Sequence, residues 1–252
     1  MSRYQNACSY EVLTSLAGSA VFKSFGACTW QVPANVKIAT FEVWGGGGGG
    51  AGRCCCDCYR NGPSGSGGGY AKLTIPVTPL ETYSLCVGAG GGSCSVGSGA
   101  ATHWCCYGGA GTTSYVTGTN INVLCATGGT GGYTDCYYQC GCSVPTGLGY
   151  ACTNLDYAGT EFEYLGLKGH PARAGGYGWA GGTSDSAQCG ASWAGGAGTF
   201  AHQPWGVDAC CFCMCGKPCS TPGRGGQTYQ SITCCQCGPG SSGVDGMVRI
   251  TY

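Results

Sequence analysis

Fifty-two of the 252 residues are glycine, about three times the usual share, and no other feature limits the fold as strongly. Ordering a glycine costs more backbone entropy than ordering any other residue and returns no side-chain burial. The runs at 45–52, 62–69, 88–99, 108–111 and 128–132, and most of 141–246, must therefore stay unordered or be ordered through their own N–H and C=O groups, which need partners once buried. Gly-Gly pairs recur at irregular spacing, without the strict three-residue period and abundant proline of collagen. Linker-like disorder is disfavoured, because the insertions that hold these runs also carry Trp104, Trp179, Trp193, Trp205, Tyr107, Tyr137, Tyr138 and Tyr177, and disordered linkers are poor in aromatics. One ordered solution is open: extended glycine segments side by side at three residues per turn, bonded N–H to C=O between neighbours, with no side-chain core.

Between the glycine runs the chain alternates with a period of two, the signature of half-buried strands. Trp30 and Val32 share a face. Over 37–44, Ala39, Phe41 and Val43 oppose Ile38, Thr40, Glu42 and Trp44. Over 71–77, Leu73, Ile75 and Val77 oppose Lys72, Thr74 and Pro76, and the proline marks an edge or a strand end. Tyr83, Leu85 and Val87 repeat the pattern, as do Val248, Ile250 and Tyr252. Weaker strands are expected at 113–117 and 121–125. No window after Leu16 sustains a helical period, so the class is all-β.

Charged residues are only 9% of the chain, with Lys+Arg 11 against Asp+Glu 11. That balance supplies no cationic footprint for a polyanion, so nucleic acid is not an expected partner. No run reaches the roughly 18 apolar residues of a spanning helix, and membrane insertion is not expected. Residues 12–22 match a signal peptide poorly, having one basic residue before them and Glu11 at their start. A strand or docking arm is the better reading of that segment.

Twenty-four cysteines are a density typical of crosslinked scaffolds. Seventeen of them are clustered as Cys54, Cys55, Cys56 and Cys58; Cys105 and Cys106; Cys136, Cys140 and Cys142; Cys210, Cys211, Cys213, Cys215 and Cys219; and Cys234, Cys235 and Cys237. Cys8, Cys28, Cys86, Cys94, Cys125, Cys152 and Cys189 are single. The clusters are the disulfide candidates, and bridges of about 2 to 4 kcal/mol each would offset the entropy of ordering coreless loops. Thiolate-bound zinc or another metal is the rival, but paired C-x2-C signatures free of intervening cysteine are missing. No cofactor is expected.

Catalysis has no constellation to carry it. His103, His170 and His202 are far apart in sequence, and chance pairs each with some thiol. Glu161 and Glu163 share one side of any strand that holds them, which is commoner on a solvated loop than in an acid-base pair. G-x-G-x-x-G matches are uninformative at this glycine content. A non-enzymatic protein is expected.

Phe25-Gly26, then Thr29-Trp30-Gln31-Val32-Pro33-Ala34-Asn35-Val36, then Phe41-Glu42-Val43-Trp44 running into the first glycine run, resemble the opening of a glycine-rich domain family of phage tail-fibre and virion adhesion proteins. The order continues in Gly67-Gly68-Gly69-Tyr70-Ala71-Lys72, Val77-Thr78-Pro79, Thr82-Tyr83-Ser84-Leu85-Cys86-Val87-Gly88-Ala89-Gly90-Gly91 and the last ten residues, Gly243 to Tyr252. The resemblance implies a small, jelly-roll-like β-sandwich with variable glycine-rich loops as a receptor-contacting tip. It also implies a virion protein, extracellular, that binds a host-surface glycan or protein receptor and other virion proteins. The cysteine load departs from the family's usual composition. The expected organisation is a docking arm at 1–24 that contacts other virion proteins, and a domain at 25–252. The domain has framework strands at about 29–44, 71–87 and 247–252 and insertions at 45–69, 88–111 and 126–246.

Flat rings beside adaptable backbone are a binding-loop composition, which makes Trp104, Tyr107, Tyr137, Tyr138, Trp179, Trp193 and Trp205 the receptor-binding candidates. A self-associating decoration or fibre subunit, expected to be homo-oligomeric, and a cysteine-rich metal-binding protein are the alternatives.

Overall fold

A computed structural model describes residues 10–13, 18–50, 65–93, 108–132, 149–156, 159, 162–167, 222–223, 225–226 and 242–252. Eleven strands are found among them: β1 (Tyr10–Leu13), β2 (Ser19–Phe22), β3 (Gly26–Gln31), β4 (Ile38–Trp44), β5 (Tyr70–Pro76), β6 (Thr82–Val87), β7 (Ser114–Gly118), β8 (Ile121–Ala126), β9 (Ala151–Leu155), β10 (Glu163–Leu167) and β11 (Met247–Thr251). They form a six-stranded sheet in the order β1-β2-β11-β4-β5-β10 and a five-stranded sheet in the order β3-β6-β7-β8-β9. Every pairing is antiparallel. The all-β class expected from the alternation is the class observed.

The period of two converts directly into an inner and an outer face. From the larger sheet Ala39, Phe41, Val43, Leu73, Ile75, Val248 and Ile250 turn inward. From the smaller sheet Trp30, Tyr83, Leu85, Val87, Val116, Ile121 and Leu124 meet them. Near the end where β4 begins, Trp30 packs edge-on against Phe41 at 5.8 Å and lies 5.4 Å from Tyr252. Burial of Tyr83, with the Glu81 carboxylate nearby, pushes its phenol up to about 12. Its hydroxyl donates to the Thr119 carbonyl at 3.2 Å.

The outer face of the larger sheet carries a smaller cluster of Trp44, Tyr70 and Met247. Beside it Glu42 accepts from the Tyr70 hydroxyl at 2.8 Å and from Arg249 Nε at 2.6 Å. The Arg249 guanidinium also lies 5.7 Å from the Trp44 ring centre. Burying a carboxylate without such partners would be costly.

Four strands lie outside both the expected framework ranges and the weaker expected strands: β1 and β2 in the segment read as a strand or docking arm, and β9 and β10. β2, inside the expected arm at 1–24, pairs with both β1 and β11 and buries Ala20 and Phe22 in the core. β9 and β10 lie inside what reads as one long glycine-rich insertion at 126–246. Both are sheet edges whose side chains are intermediate to exposed where described, so neither carries the apolar alternation that marks a strand in sequence.

Candidate functional site

Six strands do not end at the sandwich but run on as glycine segments. β4, β6 and β8 continue outward into 45–50, 88–92 and 127–132. Segments 65–69, 108–112 and 242–246 run inward to β5, β7 and β11. A seventh segment contains Gly223 and Gly226. Their hydrogen bonds follow a period of three. Gly45 and Gly48 donate to Gly69 and Ser66, Gly46 and Gly49 donate to Thr112 and Gly109, and Gly47 donates to Val244, all at 2.8–3.0 Å. In return Gly129 and Gly132 donate to the carbonyls of Gly46 and Gly49, Gly91 donates to Gly47, and Gly226 donates to Gly48. Three residues per turn is the period of an extended polyproline-II-type helix, which has no internal hydrogen bonds and so leaves every backbone group for its neighbours.

Segment 45–50 is thus the centre of a ring of six. Around the ring, 65–69 bonds 127–132, which bonds 108–112, then 88–92, then 242–246, then the Gly223 segment, and back to 65–69. Outward and inward segments alternate. The centre donates to the three inward neighbours and accepts from the three outward ones. Every residue of 45–50 is buried, although the segment has no side chain to bury. This is the ordered solution that glycine content leaves open, and Cβ atoms would prevent it. At Gly46, Gly48 and Gly131 a Cβ would overlap the backbone carbonyls of Ala89, Thr130 and Gly108. Several polar side chains complete the bonding. Asp245 Oδ1 accepts from Gly90 N at 2.7 Å, Ser114 Oγ from Gly88 N at 2.8 Å and Ser66 Oγ from Thr130 N at 2.7 Å.

Topology fixes where the insertions attach. The chain leaves the described residues after 50, 93 and 226 and re-enters at 65, 108 and 242, in each case at the end of the bundle far from the sandwich. After 132 it leaves at that same end and re-enters lower on the flank, at Gly149, which donates to Gly67. The receptor-binding candidates Trp104, Tyr107, Tyr137, Tyr138, Trp179, Trp193 and Trp205 lie outside the described residues, as do all seventeen clustered cysteines and the carboxylate Glu161. Trp104 and Tyr107 belong to the 94–107 excursion, Tyr137 and Tyr138 to the 133–148 excursion, and the remaining three tryptophans to 168–221.

Four cysteines lie among the described residues, all of them single in the sequence. Cys125 on β8 and Cys152 on β9 stand directly opposite one another and are disulfide-bonded, with Cα atoms 5.1 Å apart. That separation is ordinary for a bridge. Both count as single cysteines in the sequence, and their pairing becomes visible only once β9 is recognised as the strand next to β8. Cys28 is also disulfide-bonded. Cys86 is a free thiol directly opposite Tyr115, and it is the main cause that raises the Tyr115 phenol above its usual range. Among the described residues no group of three or more His, Cys, Asp or Glu side chains could hold a metal ion. No helix there is long and apolar enough to cross a membrane.

No curated protein sequence matches the chain at a significant level. The glycine-rich domain family matches residues 22–252, from β2 through the bundle to the last strand, and the chain belongs to that family.

Proposed function

We propose that this chain is a phage virion protein, a tail-fibre or tail-tip adhesin that binds a host-surface glycan or protein receptor without catalysis. One observation carries the reading: a bundle without a side-chain core stands on one end of a sandwich, and four excursions of the chain depart from its far end. Scaffolds that position otherwise free loops at one tip are a recurrent solution to recognition. Two of the excursions contain Trp104, Tyr107, Tyr137 and Tyr138, aromatic residues of the kind that dominate binding energy at interfaces. The resemblance of the framework motifs to phage adhesion proteins points the same way.

Particles carrying Trp104→Ala and Tyr137→Ala test the reading. Expected is at least a roughly tenfold loss of adsorption to host cells, about 1.4 kcal/mol or more, with particle yield and incorporation of the chain unchanged. Failed particle assembly would favour a scaffold subunit instead. Unchanged adsorption with all seven candidate aromatics replaced would remove the adhesin reading.

A further inference from the structure

The two sheets differ in the charge that their strands carry. Those of the larger sheet hold Glu11, Glu42, Lys72, Glu163 and Arg249, whereas β3, β6, β7, β8 and β9, the strands of the smaller sheet, contain no charged residue. Since Tyr83, Leu85, Val87, Val116 and Leu124 turn into the core, their sequence neighbours form the outer face. One row across that face runs from Thr29 through Ser84 to Thr117, and Val123 stands opposite Asn154 on the two strands beyond. In the next row Tyr115 lies between Cys86 and the Cys125–Cys152 bridge, with Ala27 on the other side of Cys86.

Among the described residues of these strands, only Tyr115 exposes a large hydrophobic side chain, at 38%. The nearby Cys86 thiol is the main cause that raises its phenol, so the ring lies along the sheet toward β6 instead of standing up from it. Ala27, Ser84, Thr117 and the bridged cysteines are too short to rise over it. The face is therefore low and uncharged, with one flat ring bordered by hydroxyl groups.

We propose that this outer face of the smaller sheet, centred on Tyr115, is a binding platform for an uncharged oligosaccharide. What the face lacks narrows the occupant as much as what it holds. A polyanion asks for cations, and these strands supply none. A protein partner asks for clustered aromatic and aliphatic anchors, and Tyr115 stands alone. Hydroxyl and amide side chains each donate and accept, which suits the hydroxyls of a sugar. The negative face of an aromatic ring suits the C–H groups on the flat side of a pyranose. Thr117 is two residues along β7 from Tyr115, about 6.8 Å, and Ser84 is one strand over from Thr117, about 4.8 Å, so both border a sugar seated on the ring. The platform is on the flank of the sandwich, and its occupation does not depend on what the excursions at the far end of the bundle bind.

The test uses the intact, disulfide-bonded chain labelled with 15N. It is titrated with neutral hexasaccharides (cellohexaose, maltohexaose, laminarihexaose and chitohexaose) and with a hyaluronan hexasaccharide as the charged comparison. Expected are saturable shifts of the Ser84, Tyr115 and Thr117 amides with at least one neutral sugar and none with hyaluronan. Tyr115→Ala weakens that binding at least about tenfold, whereas Tyr115→Phe, which keeps the ring, retains most of it. Both substitutions are at an exposed position, and melting curves that coincide with the parent's show that the variants fold. The proposal is overturned if no neutral hexasaccharide shifts these three amides up to its solubility limit, if Tyr115→Ala binds as the parent does, or if hyaluronan binds as tightly.

Discussion

At Gly48 a β-carbon would overlap the carbonyl of Thr130, whereas at Gly92 it would meet nothing within 4 Å. The two positions lie in adjoining parts of the same bundle, so they separate steric need from glycine content as such. Gly48→Ala is expected to destabilise by roughly 3 kcal/mol or more, since the obstruction is backbone that cannot rotate aside. Gly92→Ala is expected to stay within about 0.5 kcal/mol of the parent, because the unfolded chain also loses entropy when glycine is replaced. Thermal melts of the pair decide the matter. Equal effects would mean that the lattice tolerates side chains and that its glycines are incidental. This distinction is not legible in the sequence, where Gly48 and Gly92 are both members of glycine runs. What separates them is which neighbour each faces, and only the three-dimensional register defines that.

The strands were legible in proportion to how unequally their two faces are buried. β5, β6 and β11 alternate because one face meets the opposite sheet, β4 does so until Glu42 and Trp44 are covered on its outer face as well, and the expected limits of all four fall within a residue or two of those observed. β9 and β10 are edges with little inward burial, and β2 is only four residues long, too short to show a period. Missing β9 also meant missing the Cys125–Cys152 bridge, which ties this edge to β8 across 27 residues of sequence. Closing a loop of that length stabilises by about 3 to 4 kcal/mol in the chain-entropy model. Cys125→Ser with Cys152→Ser is accordingly expected to lower stability by about 2 to 4 kcal/mol, read from denaturant midpoints. The amides of β9 should gain the most exchange, with β4 and β5 least affected. Uniform loss of protection would show that the bridge supports the whole fold rather than its edge.

Across the whole molecule, two kinds of interior are joined by continuous chain. The sandwich is held by apolar side chains and the bundle by peptide groups, yet β4, β5, β6, β7, β8 and β11 each belong to both. Of the two, only the sandwich has an interior of the sort that apolar periodicity announces. The sequence limits the bundle to backbone pairing without specifying which segment pairs with which. Unfolding heat capacity distinguishes the two interiors, because exposed apolar surface raises it by about 0.45 cal/mol/K per Å² and exposed polar surface lowers it by about 0.26. Peptide groups released from the bundle should offset part of the increment from the sandwich. The disulfide-intact chain is therefore expected to fall below the usual value of about 12 cal/mol/K per residue in differential scanning calorimetry. Crosslinks could also lower the increment by keeping the unfolded chain compact, so the measurement is repeated after full reduction. A deficit that persists belongs to the peptide-lined interior. One that disappears on reduction would assign it to the bridges, and would leave the bundle without the energetic character that its hydrogen-bond pattern implies.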